Sequence, residues 1–300
     1  MSLALVTKLN DIDLGQAVQT EVSVSDGLSL GDGVPSGGVP GTEPDLFDII
    51  FDDYADTAAF IADKGIRGSA ATFVESEDHS TDLMAIVTDV VDSGYGRSKS
   101  LRYHYNHGAN GCTSITCRRG AQFASRQEAW GEWRVKWSAN FTTREDSCIP
   151  NDHKFIIGDT TSDESGRWDL RIGSDSYAAH GIGVTRCINP DSEEVEEYIN
   201  LNSDPQIWAE DLWESDTWHT IRIYIRNSTT VSSRDGFHKV WIDGTLKHSK
   251  TNFNTCKADL TTPETIWGFS FNHNKDDGPA NTDMYVYWGH AKAWGTDPGW

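Results

Sequence analysis

The sequence has no long hydrophobic run and few basic residues, and each scarcity excludes a class of partner. No window approaches the ~18 consecutive apolar residues of a transmembrane helix, so a membrane-spanning segment is not predicted. Its 25 Lys and Arg residues stand against 46 Asp and Glu, which gives a formal net charge of −21. Phosphate backbones and anionic membrane surfaces repel such a chain, so we expect neither a nucleic acid nor a membrane as partner.

Cysteine is also sparse in this chain of 300 residues. The five cysteines are Cys112, Cys117, Cys148, Cys187 and Cys256. Their spacing matches no compact zinc motif, and an odd number leaves at least one of them unpaired in a monomer. We expect reduced, mostly buried thiols, with Cys112 and Cys117 the best candidates for a disulfide at the end of a loop. The first ten residues lack the basic region of a secretory signal peptide, so none is predicted.

Aromatic residues are absent from residues 22–44, which consist mainly of Val, Ser, Gly, Asp and Pro. Such a segment buries too little apolar surface to offset the entropy lost when it becomes ordered. A passive linker is one interpretation of this composition, and an arm that docks on a neighbouring subunit is the other. We predict an extended low-complexity docking arm over residues 1–44, followed by a folded body over residues 45–300.

The folded body is dominated by strand signals, namely short aromatic and β-branched runs between clusters of Gly, Asn, Asp and Pro. The runs lie at 101–107, 132–141, 154–159, 168–173, 218–227, 237–244, 266–274 and 284–294. A turn at Asp243-Gly244 predicts a hairpin. Helical patterns are confined to Thr57–Ala62 and residues 192–200. The absence of β-α-β alternation predicts an all-β, two-sheet antiparallel sandwich or jelly roll.

Alternation along the strands separates an apolar face from a polar and basic one. Trp133, Val135 and Trp137 share one face, for example, and charged or polar residues lie between them. The basic, histidine and tyrosine side chains on the polar faces are Arg102, His104, Arg134, Lys136, Arg222, Tyr224 and Arg226. Long cations often cover the solvent side of a sheet. A basic groove on an acidic protein also suits an acidic polysaccharide, so these seven are candidate ligand-binding residues.

Four stretches of the C-terminal third carry a family resemblance. They are 218–226, 235–244, 269–274 and 285–294. Their order, a tryptophan-bearing strand, a hairpin with the sequence VWIDG and a late aromatic strand, resembles that of the concanavalin A-like jelly rolls of lectin, laminin-G-like and polysaccharide-lyase domains. The resemblance covers about residues 45–300 and implies a jelly roll with carbohydrate as its ligand, but a fold of this kind does not specify one activity.

The resemblance to polysaccharide lyases implies one enzymatic alternative. A lyase neutralises the carboxylate of a uronic acid with a cation or amide, and a Tyr or His transfers the protons. In that alternative the catalytic residues would be Arg102, His104, Arg134 and Tyr224. The tight local motifs of alginate lyases are missing from this chain. Closely spaced carboxylates on one strand, which a glycoside hydrolase of this fold would need, are missing as well.

A structural Ca²⁺ is a further expectation for jelly rolls of this kind. Oxygen ligands could come from Asn272, Asn274, Asp276 and Asp277, although their spacing does not match an EF-hand. A polar turn held by Asx hydrogen bonds is the more common structure for such a sequence. The histidines do not have the spacing of zinc ligands.

Three functions remain open at the level of sequence. Residues 22–33 are similar to the low-complexity leaders of tailed-phage virion proteins. We therefore favour a structural protein, a capsid-decoration or fibre subunit that binds carbohydrate and attaches to other virion subunits through residues 1–44. Such a protein would be made in the host cytoplasm and displayed on the virion surface as part of an oligomer. The alternatives are a depolymerase that cleaves an acidic polysaccharide by β-elimination and an extracellular carbohydrate-binding module.

Overall fold

The computed structural model describes residues 43–63, 84–105, 114–116, 119–141, 152–160, 166–173, 181–188, 216–256, 261–276 and 284–300. These residues contain one α-helix, α1 (Thr57–Ala62), and fourteen strands. The strands are β1 (Phe47–Ile50), β2 (Met84–Val87), β3 (Ser100–Tyr105), β4 (Ser114–Thr116), β5 (Arg119–Arg126), β6 (Glu128–Trp137), β7 (Asp152–Thr160), β8 (Gly166–Gly173), β9 (Gly181–Ile188), β10 (Trp218–Arg226), β11 (Gly236–Ile242), β12 (Thr245–Phe253), β13 (Ile266–Asp276) and β14 (Met284–Trp294).

The strands form two sheets in which every described pair is antiparallel. The first sheet has the order β12-β11-β10-β6-β14-β3-β2, and β1 pairs with β14. The second sheet has the order β4-β13-β7-β8-β9, and β5 pairs with β13. Neighbours such as β6 and β14 are distant in the sequence, as they are in a jelly roll. The predicted all-β fold with two antiparallel sheets is confirmed.

The core lies between the two sheets and is rich in aromatic rings. Phe269 of the second sheet is fully buried and meets two rings of the first. Its centroid is 5.4 Å from that of Trp133 in a T-shaped pair and 6.5 Å from that of Phe47. Edge-to-face pairs of this kind add to the stabilisation that burial alone provides. The buried residues Trp133, Val135 and Trp137 confirm which face of β6 the alternation assigns to the core.

The predicted hairpin joins β11 to β12 through Asp243 and Gly244. Both residues have positive φ angles, 49° and 77°, as a type I′ turn requires. The Asp243 carboxylate also accepts hydrogen bonds from the Thr220 backbone N–H (2.8 Å) and from His219 Nδ1 (2.7 Å). The turn is therefore anchored to the neighbouring strand β10.

The predicted helix at Thr57–Ala62 is confirmed, and Asp56 caps it by accepting a hydrogen bond from the Ala59 N–H (2.8 Å). Cys256 is buried, as expected of the cysteines. Residues 1–42 of the predicted docking arm (1–44), the candidate pair Cys112 and Cys117, and the helical pattern at 192–200 lie outside the described residues. None of the helices within the described ranges has the length and apolar character needed to cross a bilayer.

The candidate calcium ligands lie in an extended strand. Asn272, Asn274 and Asp276 belong to β13, and Asp277 follows it outside the described residues. The polar turn expected over residues 272–278 is therefore not found in its described part, because β13 continues through Asp276. Among the residues that the structure describes, no group of three or more His, Cys, Asp or Glu side chains could hold a metal ion.

Candidate functional site

The seven predicted ligand-binding residues share the outer face of the first sheet, the face that points away from the core. Directly paired residues of antiparallel strands project their side chains to the same side of a sheet. His104 pairs with Tyr285, Arg102 with Tyr287, and Tyr287 with Lys136. Arg134 of β6 pairs with Thr220 of β10. Every second residue of β10 after Thr220 projects to the same side, and these residues are Arg222, Tyr224 and Arg226.

The centre of this outer face is closed. Arg134 is only 7% exposed, and its Nε donates to Asp92 Oδ2 at 2.7 Å. Its Nη1 donates to Thr220 Oγ1 at 2.8 Å, and the ring centroid of Tyr95 lies 4.4 Å from its guanidinium carbon. Arg134 therefore does not line an open basic groove as predicted, because its charge is neutralised and an aromatic ring covers it.

A second buried ion pair adjoins Arg134. The Glu132 carboxylate accepts hydrogen bonds from Arg222 Nε (2.7 Å) and His290 Nε2 (3.0 Å). Burial alone would raise the pKa of Glu132, but the hydrogen bond from His290 and the charge of Arg222 outweigh it and hold the pKa at about 2. Burial lowers the pKa of His290 and favours its neutral form. The charge of Arg222 is therefore neutralised by Glu132 within the sheet.

A β-bulge in β14 lets these groups approach one another. The pairing with β6 shifts between Trp288 and His290, so that Gly289 is the extra residue. A Cβ atom at Gly289 would lie 3.3 Å from the Arg134 Cβ and 3.5 Å from the Asp92 Cβ. Because glycine has no Cβ, the Arg134 and Asp92 side chains can pack closely over position 289. We call Asp92, Glu132, Arg134, Arg222 and His290 the closed centre.

A second group, half-buried except for the buried Tyr287, lies toward β3, and we call it the Tyr285 patch. It consists of Arg102, His104, Lys136, Tyr285 and Tyr287. The His104 ring stacks on Tyr285 with centroids 4.9 Å apart and planes inclined by 20°. The Arg102 guanidinium carbon is 5.3 Å from the Tyr285 centroid, and Tyr287 lies 6.1 Å from Tyr285. Cations and proton-transferring groups are therefore neighbours here.

Arg102 differs from the other predicted cations in its electrostatic partners. It forms no ion pair with any residue that the structure describes, and its Nε is buried without a hydrogen-bond partner. Lys136, by contrast, pairs with Asp216 at 2.7 Å, and Arg226 with Asp235 at 3.7 Å. Burial raises the pKa of Tyr287, which keeps its hydroxyl protonated and able to donate. The patch therefore places the Arg102 guanidinium, which has no ion-pair partner among the described residues, beside the protonated hydroxyl of Tyr287.

The opposite side of the outer face is aromatic. Tyr224 stacks on the buried Trp130 with ring centroids 4.4 Å apart, and its hydroxyl donates to Glu128 Oε2 at 2.6 Å. Burial and this hydrogen bond raise the pKa of Tyr224 far above its usual value. A tyrosine so protonated is a poor general base. Sequence reasoning missed the neighbouring rings, Phe237, Trp241, Trp294 and Trp300, although alternation could have placed Phe237 and Trp241 on this face.

The second sheet also brings basic residues together, as judged from its backbone pairing. Lys154 of β7 pairs with Arg171 of β8 on one side and with Asn274 of β13 on the other. His153 pairs with Lys275 in the adjacent position. The sequence analysis assigned no ligand-binding role to the basic residues of this row.

Fold, sheet order and core together define a concanavalin A-like jelly roll, as the sequence resemblance implied. The chain is similar to three structures of the alginate lyase Aly36B. One is a variant bound to alginate tetrasaccharide, with a TM-score of 0.54 and 16% identity, and it covers 84% of this chain and 97% of the lyase. Another is a variant bound to alginate trisaccharide, with a TM-score of 0.51, 15% identity and coverage of 84% and 98%.

The third is a structure of the alginate lyase Aly36B itself, with a TM-score of 0.50, 14% identity and coverage of 84% of this chain and 97% of the lyase. At these identities the similarity is one of fold. No protein-family model and no curated protein sequence matches the chain.

Proposed function

We propose that this protein binds an acidic polysaccharide at the Tyr285 patch and cleaves it by β-elimination. The observation that carries the proposal is the Arg102 guanidinium, which has no carboxylate partner among the described residues of a protein with net charge −21. A buried or half-buried cation in such a protein is suited to an anion from outside. The similar fold of a lyase solved with alginate tetrasaccharide supports a uronic acid as that anion.

β-Elimination assigns a role to each group of the patch. Arg102 neutralises the uronate carboxylate, which makes the proton on C5 more acidic. His104 accepts that proton, because imidazole is the side chain that exchanges protons most readily near neutral pH. A double bond forms between C4 and C5, the C4–O bond breaks, and its electron pair leaves with the oxygen. The protonated Tyr287 hydroxyl donates a proton to this leaving oxygen.

The experiment is to incubate the purified chain with alginate, glucuronan and a heparin-like polymer. Unsaturated uronate ends absorb in the ultraviolet, and we expect them to accumulate with at least one polymer. Arg102→Met should lower the rate by about 10²–10³-fold, the usual cost of removing one group that stabilises a developing negative charge. Arg97→Met is the matched control, since Arg97 lies outside the patch beside Asp52 at 4.0 Å, and it should change the rate less than twofold.

Two results would contradict the proposal in different ways. Absence of unsaturated ends with every uronate polymer would exclude the reaction. Full activity in Arg102→Met together with loss of activity in Arg171→Met would keep the reaction and move its site to the second sheet, where Arg171 pairs with Lys154.

Attachment to a virion or another large assembly through residues 1–44 is a separate proposal. It rests on the composition of that segment and on its similarity to phage leaders, and the described residues begin at its C-terminal edge. A polysaccharide-cleaving or polysaccharide-binding body is compatible with display on such an assembly.

A further inference from the structure

Four half-buried aromatic side chains cluster on the outer face near β10 and β11. They are Tyr224, Phe237, Trp241 and Trp300, and we call them the aromatic shelf. Tyr224 and Phe237 are 6.0 Å apart, and Trp241 and Trp300 are 5.5 Å apart, measured between ring centroids. Solvent-accessible aromatic surface concentrated in one place on a polar sheet face indicates a binding surface.

Two buried tryptophans support the shelf from below. Trp130 stacks against Tyr224 at 4.4 Å, and Trp294 makes an edge contact with Trp300 at 6.0 Å. Both supporting rings are less than a tenth exposed, whereas the four shelf rings remain partly accessible. The shelf is thus held in place before any ligand arrives, so binding costs little side-chain entropy.

Cations border the shelf. The Arg226 guanidinium carbon and Lys239 Nζ lie 5.8 Å and 5.9 Å from the Phe237 centroid. Lys239 forms no ion pair with a residue in the described ranges, and Arg226 meets Asp235 only at 3.7 Å. Rings flanked by accessible positive charge match a polymer whose sugar rings have apolar faces and carry carboxylates.

The shelf and the Tyr285 patch lie on the same face of one sheet. β10 and β14 are separated only by β6, and neighbouring strands are about 4.8 Å apart, so the two sites can contact one extended polymer. The closed centre lies between them and offers no comparable ligand groups. A polymer long enough to reach both sites would be held more tightly than a short fragment.

We propose that the aromatic shelf is a second, non-catalytic binding surface for an acidic polysaccharide. The identity of the polymer rests on the proposed function, but binding at the shelf does not require that the chain cleave it. Sugar rings stack on Trp241 and Trp300, and uronate carboxylates face Lys239 and Arg226.

The test compares long alginate with alginate tetrasaccharide, using calorimetry for binding and ultraviolet absorbance for turnover. The variant is Trp241→Ala combined with Lys239→Gln. It should weaken binding of the long polymer by about tenfold, which corresponds to ~1.4 kcal/mol, because a ring contact and a cation are lost together. The expected kinetic signature is a higher KM for the long polymer with an unchanged kcat, and equal kinetics on the tetrasaccharide.

Arg97→Met is again the control, because Arg97 lies outside the shelf beside Asp52 at 4.0 Å, and it should bind like the parent. Polymer binding that depends on the shelf in a chain without lyase activity would support the shelf and reject the proposed function. Wild-type binding by the double variant would overturn the shelf. Loss of self-association in the double variant with unchanged polymer binding would also overturn it, and would mark the shelf as an interface between copies.

Discussion

The closed centre and the Tyr285 patch occupy the same sheet face and are built from the same residue types, yet only one of them has an unused charge. In the centre, Asp92 reaches Arg134 at 2.7 Å and Tyr95 covers it. In the patch, Arg102 lies beside Tyr285 and forms no ion pair with a described carboxylate. A basic residue on a polar strand face therefore indicates a binding site only when no acid of the same chain has already neutralised it.

The segment that precedes β3 is responsible for much of this difference. It forms a short turn over Ser93–Tyr95, which places Asp92 and Tyr95 above β6. Asp92 is itself nearly fully buried. The charge of Arg134 is therefore balanced within the fold, and its contribution belongs to stability. The charge of Arg102 is not balanced in this way by a residue that the structure describes.

The largest difference between the two regions should appear in stability. Arg134→Ala leaves a buried Asp92 without its cation, and we expect a loss of about 3–5 kcal/mol in the free energy of unfolding. Arg102→Ala should cost less than ~1 kcal/mol, because no ion pair is broken. Urea denaturation measures both. Ile223→Ala, a core truncation expected to cost ~2–5 kcal/mol, provides the scale. Equal losses at Arg134 and Arg102 would contradict the division of the face.

Acidification should destabilise the closed centre. The folded pKa of Glu132 is about 2, below its ordinary 4.5, so its contribution is complete above pH 4.5 and is lost as the pH falls toward 2. The shift corresponds to about 3 kcal/mol at ~1.36 kcal/mol per pH unit. The lowered pKa of His290 acts in the same direction, because the folded state resists its protonation. Glu132→Gln should flatten the profile of unfolding free energy between pH 5 and 2, and an unchanged profile would disprove the assignment.

Removal of the Tyr95 ring should have a smaller effect. Tyr95→Ala takes away the ring above Arg134, and a cation–π contact of this kind contributes about 1–2 kcal/mol. Tyr95→Phe keeps the ring and loses only the 3.3 Å hydrogen bond between its hydroxyl and Thr220, so it should stay within ~1 kcal/mol of the parent. Thermal unfolding of both variants distinguishes the ring from the hydroxyl. Equal effects would show that the ring contributes little.

Deletion of residues 1–42 should have the smallest effect on the body. The described contacts begin later, where Asp45 Oδ1 accepts a hydrogen bond from the Gly295 N–H at 2.6 Å. We expect the unfolding free energy to change by less than ~0.5 kcal/mol, as for surface changes generally. Size-exclusion chromatography of both forms tests the docking role. A melted truncation product would contradict the division at residue 44.

Local sequence signals predicted much of the fold. Strict alternation in β6 and β10 identified the buried faces, and Asp243-Gly244 identified a hairpin because few residues adopt two successive positive φ angles. Other strands gave weaker signals. The strand β12, TLKHSKTNF, is polar at the edge of its sheet, and β5, RGAQFASR, lacks β-branched residues. Their pairing depends on neighbours that are distant in the sequence.

The site was harder to predict, since ion pairs between distant residues leave no local pattern. Asp92 lies 42 positions before Arg134, and Trp300 reaches Arg222 from outside any strand. Alternation placed Arg134 and Arg222 on the correct face but could not reveal that acids of the same chain neutralise both. It also could not show that Arg102 keeps its charge available.

The extra residue at Gly289 determines which side chains of β14 face the core after the bulge. Ahead of it, even-numbered positions such as Trp288 face inward, and beyond it odd-numbered ones such as Ala291 do. If Gly289 were instead paired as a regular strand residue, His290, Lys292 and Trp294 would turn toward the interior. The bulge therefore lets Trp288 and Ala291, three positions apart, both face the core, while His290 stays on the outer face beside Glu132.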